Sequence, residues 1–197
     1  GVANIQITGL EVLELDAGVS ADAAKKKKGS GFGSAGTRTQ AQAAMAAEAA
    51  RHLLTTFSAD AAICFTDGAC KGNPGPCGAG AVVRLPDGQR LEAFRALGMG
   101  TNNVGELAAI GLAIELLDEA GFDQTAPVEI LTDSKYSNGV LTQGWKAKAN
   151  KELIQSVKNI LGKRRVRVHW IAGHVGIDDN ERADALANMG VDESRRL

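Results

Sequence analysis

Residues 61 to 100 constrain the fold most: three short apolar runs with a two-residue period, separated by tight turns. AAICFTDG reads as a strand with Ile63, Phe65 and Asp67 on one face, because side chains alternate across a strand. GNPGP is a turn, AGAVVRL a second strand, PDGQ a tight turn and RLEAFRALG a third strand. Connections this short make an antiparallel meander. Then the period changes. From Asn103 to Ala120, Leu107, Ile110, Gly111, Ile114 and Leu117 recur at three and four, the spacing of a helix face. PVEILTD is a strand ending on Asp133, Ser134–Leu141 a short helix, Lys151–Leu161 a helix, RVRVHWI a strand and Asp178–Met189 a closing helix. Strands joined through helices pair in parallel. The order β-β-β-α-β-α-β-α therefore predicts an α/β fold, a five-stranded mixed sheet flanked by helices.

The first 60 residues differ in kind. IQITGLEVLEL alternates around Gly9 like a small hairpin, Lys25–Lys28 and GSGFGSAG read as a flexible linker, and AQAAMAAEAARHLL is alanine-rich and helical, ending near Phe57. No chemistry is visible there, and the lysine run reads as solvated linker rather than nucleic-acid tether. The division is an extension over 1–60 and a compact domain over 61–194. With 197 residues, the chain has enough length for one full core and this extension. At 44% hydrophobic and 23% charged residues it reads as globular, and no apolar run approaches the ~20 residues of a membrane span. No basic segment precedes an apolar stretch at the N-terminus, so a cytoplasmic monomer is expected; a Gly at position 1 in place of Met is what a fragment or processed product shows. Cys64, Cys70 and Cys77 are odd in number and lack zinc spacing, which predicts reduced thiols over a Cys70–Cys77 disulfide.

Net charge is −1, but from Ser134 to Trp170 nine Lys or Arg face one acid, Glu152, a local surplus of eight. A phosphate-backbone partner would produce such asymmetry; so would a solvated basic surface, and charge alone does not choose between them.

Four acids stand where chemistry is expected. In open α/β sheets, sites lie beyond the carboxyl ends of strands. Asp67 and Asp133 end two strands, Glu106 is placed in the first turn of the long helix, and Asp184 lies on the last helix. Converging carboxylates form an oxygen-rich site for hard cations such as Mg²⁺. Each acid also has a plain structural reading: a turn at Asp67-Gly68, a capping box from Asn103 to Glu106, a helix cap at Asp133-Ser134, a surface position for Asp184. Spacing alone does not prove a site.

The sequence around these acids adds a resemblance. TDGACKGNPGPCGAGAVV at 66–83, TNNVGELAAI at 101–110, TDSKY at 132–136 and WIAGHVGIDDNERADALA at 170–187 resemble, in this order, the blocks of type 1 ribonuclease H. The likeness covers residues 61–190, about two thirds of the chain. It implies an endonuclease that cuts the RNA strand of an RNA–DNA hybrid, nearly independent of sequence, leaving 5′-phosphate and 3′-hydroxyl ends. Two Mg²⁺ ions would serve it, with Mn²⁺ as substitute. Asp67 matches the carboxylate bridging both ions, Asp184 the one on the water-activating ion, and Glu106 and Asp133 those on the leaving-group side. His174 matches a loop histidine that transfers protons or releases product, a task suited to an imidazole near neutral pH; His52 and His169 have no such context and read as structural. Cys70, Lys71, Gly72 and Asn73 match the turn whose backbone reads 2′-hydroxyls together with Glu106. Asn73, Asn102 and Asn103 resemble hybrid-contacting asparagines, and Thr101 and Asn150 resemble residues gripping a DNA-strand phosphate. Trp145 and Lys146, with Lys148 and Lys151, form a short version of a basic handle that many bacterial members carry at greater length. Cys77 stands where glycine is usual, Lys135 where glutamine is common, and Met99-Gly100 where an arginine is often found.

A DEDD exonuclease wants an acid two residues after the first aspartate, where Ala69 stands. A transposase core shares the fold. A non-catalytic hybrid-binding module would have a degenerate site, and a domain released from a larger polyprotein would show an upstream remnant.

Overall fold

The computed structural model describes residues 38–197; the hairpin reading and the lysine and glycine-rich runs fall outside them. The elements are α1 (Gln40–Thr55), β1 (Ala62–Cys70), β2 (Gly75–Arg84), β3 (Arg90–Gly100), α2 (Asn102–Glu119), β4 (Pro127–Thr132), α3 (Lys135–Thr142), α4 (Lys151–Leu161), β5 (Arg165–Trp170) and α5 (Asp178–Ser194). They make the expected five-stranded mixed sheet, in the order β3-β2-β1-β4-β5. β1–β2 and β2–β3 are antiparallel, and β1–β4 and β4–β5 are parallel. The β1–β4 register runs from Ala62↔Val128 to Thr66↔Thr132. The next residue along each chain is Asp67 or Asp133, so the register alone delivers both acids to one end of the sheet.

Each face of the sheet carries its own core. On one, Leu107, Ile110, Ile114 and Leu117 of α2 pack over Cys64, Val83, Val128 and Ile130, with Ile154 and Val157 of α4 alongside. On the other, Ala183 and Leu186 of α5 cover Phe65, Val82 and Leu131. The alanine-rich α1 extends this second layer through Ala50, Leu53, Leu54 and Phe57. Its start is fixed by a capping box: the Thr39 hydroxyl accepts from Gln42 N, and the Gln42 side chain accepts from Thr39 N at 2.9 Å.

Several boundaries differ from expectation. Strand β1 runs on to Cys70 instead of ending at Asp67, while helices α3 and α4, both expected, follow each other between β4 and β5. Helix α5 continues past Met189 to Ser194, because Val191 is buried and the Ser194 hydroxyl has work there. It accepts from Leu97 N and Gly98 N and donates to the Cys77 carbonyl at 2.6 Å, closing a bulge in the β2–β3 ladder. Such a tie is invisible to periodicity.

Cys70 and Cys77 are disulfide-bonded, contrary to the reduced thiols expected. The hairpin register sets them directly opposite, 4.1 Å apart at Cα, so the pairing follows from strand geometry rather than cysteine count. Cys64 is free and buried. The basic stretch is also less free than its sequence implies. The Arg164 side chain is nearly buried, bonded to Asp118 and to the carbonyls of Phe122 and Asp123, and Arg167 pairs with the buried Glu129. His169 also bonds Glu129, and its ring lies 5.0 Å from that of Phe57. Among the described residues no helix is long and apolar enough to cross a membrane.

Candidate active site

Two close approaches between backbones build the site. A β-carbon at Gly68 would collide with the backbone of Gly105 and Glu106, so the missing side chain lets α2 settle against β1 beside Asp67. A β-carbon at Gly80 would strike the Ala183 carbonyl, and its absence seats α5 on β2 with Asp184 facing the same end. Oxygens of Asp67, Glu106 and Asp133 then lie within 4.8 Å of one another. Asp184 lies beside Asp67 and raises its carboxyl, and is itself held by Asn188 one turn along, whose amide donates to Asp184 Oδ1 at 3.3 Å.

The plain structural readings of these acids do not account for their geometry. Glu106 is the fifth residue of α2, not in its first turn, and Thr101 is the N-cap, with no side-chain cap bond. Asn73 Oδ1 instead accepts from Asn102 N at 3.3 Å, tying the GNPGP turn to the helix start. The Ser134 hydroxyl, not Asp133, caps α3.

The cluster is electrostatically unfavourable as it stands. Burial, then Asp133 and Asp184, pushes the Asp67 carboxyl up to about 8. Burial, then Asp67 and Asp133, holds Glu106 well above the usual carboxylate range. Burial raises Asp133 as well, His174 opposing this and Asp184 adding to it. Glu106 Oε2 is buried without a hydrogen-bond partner. Crowded hard oxygens, one of them an orphaned acceptor, fit a divalent cation: its charge would relieve the repulsion and its coordination would satisfy the orphan.

His174 lies on the loop between β5 and α5, more than half exposed, with φ of 51°. Its Nδ1 is 3.5 Å from Glu181 Oε2. Glu181 was missed in the sequence, although it sits three residues before Asp184 on one face of α5, the only signal available. Lys71, Gly72 and Asn73 are exposed on the β1–β2 turn, where Lys71 N bonds the Pro76 carbonyl at 2.9 Å and Gly72 has φ of 99°. Asn102 and Asn103 open α2, exposed. Asn150 is the N-cap of α4, left-handed and without a side-chain cap bond. Trp145 and Lys146 are exposed beyond α3, with Trp145 N bonded to the Gly139 carbonyl.

Comparison with known proteins points one way. A family model described as RNase H matches residues 59–192. A ribonuclease H of Halorhodospira halophila is 39% identical over 142 residues, covering 66% of this chain and 91% of that protein. One of Nitrobacter hamburgensis is 41% identical over 140 residues, covering 64% and 89%. Among solved structures, RNase H1 of Halobacterium salinarum matches with a TM-score of 0.56 at 30% identity, over 68% of this chain and 98% of that one. LC11-RNase H1, from compost, was solved in complex with an RNA/DNA hybrid; it matches with a TM-score of 0.58 at 31% identity, over 68% and 98%.

Proposed function

The chain belongs to the ribonuclease H family, and on that premise we propose that it hydrolyses the RNA strand of RNA–DNA hybrids internally, with Mg²⁺ held by Asp67, Glu106, Asp133 and Asp184. The observation that carries this reading is the convergence of three carboxylate oxygens within 4.8 Å, one of them belonging to a glutamate with an unpartnered buried oxygen. A pair of bound cations would supply water activation and stabilisation of the leaving oxygen. Asp67 would contribute to holding both ions, Asp184 would complete the ligands of the water-activating one, and Glu106 and Asp133 would hold the one on the leaving-group side. Mn²⁺, equally suited to oxygen ligands, substitutes. Water adds to phosphorus, the bond to the 3′-oxygen breaks, and the products carry 5′-phosphate and 3′-hydroxyl ends. His174, exposed beside the cluster, moves protons at the departing groups or helps release them.

Recognition rests on groups that see sugar and backbone, so cleavage is nearly independent of sequence. The backbone of Cys70, Lys71, Gly72 and Asn73 and the Glu106 side chain face the 2′-hydroxyls of the RNA strand. Asn73, Asn102 and Asn103 lie along the hybrid. Thr101 and Asn150, both N-caps with uncommitted side chains, grip a DNA-strand phosphate, and Trp145 and Lys146 lead the basic contact. The catalytic domain spans 61–194 and works as a cytoplasmic monomer, residues 1–60 being an extension.

The test is incubation with a labelled hybrid in Mg²⁺ beside single-stranded RNA, duplex RNA and duplex DNA, with Asp67→Asn in parallel. Internal cuts confined to the hybrid's RNA, lost in the variant, are expected. Retained binding without cleavage in either Mg²⁺ or Mn²⁺ would leave a hybrid-binding module in place of an enzyme.

A further inference from the structure

The loop carrying His174 is bent twice, with left-handed backbone at His174 (φ 51°) and again at Gly176 (φ 74°). A histidine is uncommon in that region and needs surrounding structure to hold it there. The loop's start is well fixed: Ile171 N bonds the Thr132 carbonyl at 3.0 Å, and Ala172 and Gly173 are buried. Gly173 lies hard against Asp133, where a β-carbon would overlap the carboxylate, so any shift of this backbone is felt at once by an acid of the cluster. From His174 onward the loop is held by apolar packing of Val175 and Ile177 on the second core, while polar holds on His174 and Gly176 are few. Glu181 reaches His174 Nδ1 at 3.5 Å and Gly176 N at 3.4 Å, both long. The short one comes from 135 residues away: Arg38 Nη1 donates to the Gly173 carbonyl at 2.8 Å.

Arg38 precedes the 59–192 segment matched by the family model. It stands one residue before the N-cap of α1, whose first turn is locked by the Thr39–Gln42 capping box. That helix is seated on the sheet by Ala50, Leu53, Leu54 and Phe57. A guanidinium on a fixed helix start, bonded to the peptide between an acid-contacting glycine and the loop histidine, can set where that histidine points. We infer that Arg38 is a positioning residue: through the Gly173 carbonyl it holds the 173–176 loop so that His174 faces the carboxylate cluster. The helical part of the extension is thereby a working part of the site. This rests on the role proposed above for His174.

The test is a double-mutant cycle on the full chain, with Arg38→Ala, His174→Ala and their combination assayed on labelled hybrid in Mg²⁺. Arg38→Ala is expected to lower kcat roughly tenfold, about 1.4 kcal/mol, with KM within twofold and the melting temperature little changed. In the His174→Ala background the same change should cost less than twofold, and Arg38→Lys should restore part of kcat. Amide exchange of residues 173–176 in metal-free protein gives an independent readout, and Arg38→Ala should accelerate it. Equal losses in both backgrounds, a rise in KM at constant kcat, or unchanged loop exchange would overturn the inference alone. Full kcat in His174→Ala by itself would instead overturn the role of His174, and this inference with it.

Discussion

Asp67 shows at a single residue what the site lacks without a cation. Burial, then Asp133 and Asp184, raises its carboxyl to about 8, whereas in the unfolded chain it titrates near 3.9. Between those values the folded protein holds a proton that the unfolded chain has released. Stability in chelator therefore falls as pH rises from about 4 to about 8, and is flat beyond. Glu106 and Asp133 shift in the same direction and deepen the slope. Asp67→Asn removes the penalty: in chelator at pH 8.5 it should stabilise the protein by roughly 2–4 kcal/mol, a gain that vanishes near pH 4 and shrinks when Mg²⁺ stabilises the parent. Melts at both pH values, with chelator and with Mg²⁺, read this directly; a parent melting temperature that does not fall with pH in chelator would contradict it. Cys64 differs in kind, its thiol pushed to about 12 chiefly by burial, so thiolate is negligible at neutral pH. Alkylation followed by mass spectrometry should leave Cys64 unlabelled until guanidinium is added, and Cys70 and Cys77 unlabelled until a reductant is added.

Two glycines at helix α2, one on the strand beneath it and one inside it, have opposite demands around them. Gly68, on β1 facing this helix, has no room for a β-carbon because the obstacle is the backbone of Gly105 and Glu106. Gly68→Ala must push α2 outward, at about 1–3 kcal/mol, and it carries Glu106 out of place, so kcat should drop about 100-fold or more. Gly111, inside α2, has nothing within 4 Å of a built β-carbon and ordinary helical backbone. Gly111→Ala should stabilise by up to about 1 kcal/mol through helix propensity and leave kcat alone. Thermal melts and hybrid cleavage on the two variants separate close approach from propensity. The contrast also marks the limit of reading by sequence. The strands and α2 were legible because their apolar periods are local, and Asp133 because it follows a strand; Asp67 lies inside β1, just past the point where its pairing with β4 stops. Asp184 and Glu106 were legible only through the blocks around them, since on spacing alone Glu106 resembles a capping residue. The Cys70–Cys77 bond, the Ser194 tie and the Arg38 contact were not legible, because each depends on register or packing between segments far apart in the chain.

Charge is unevenly spread along the chain: the net is −1, yet the stretch from Lys135 to Arg167 is basic, while four acids gather at one end of the sheet. The fold divides that stretch in two. Lys146, Lys148 and Lys151 remain exposed around the start of α4, beside Trp145. Arg164 is turned inward to Asp118 and two carbonyls, its side chain only 2% exposed. The two groups should therefore fail differently. Each lysine that touches a hybrid phosphate contributes about one unit to the slope of log affinity against log salt. Replacing Lys146, Lys148 and Lys151 together by Ala should flatten that slope by up to about three units and weaken binding most at low salt, with the melting temperature nearly unchanged. Arg164→Ala should leave the slope untouched and cost about 1–3 kcal/mol of stability, because the Phe122 and Asp123 carbonyls lose their donor while Asp118, half exposed, turns to water. Fluorescence anisotropy with a labelled hybrid, in an Asp67→Asn background so that nothing is cut, gives the slopes, and melts give the stabilities. A slope change in Arg164→Ala equal to that of one lysine would mean that the guanidinium leaves its buried partners to reach the duplex. The basic stretch would then act as one surface, as its sequence alone implies.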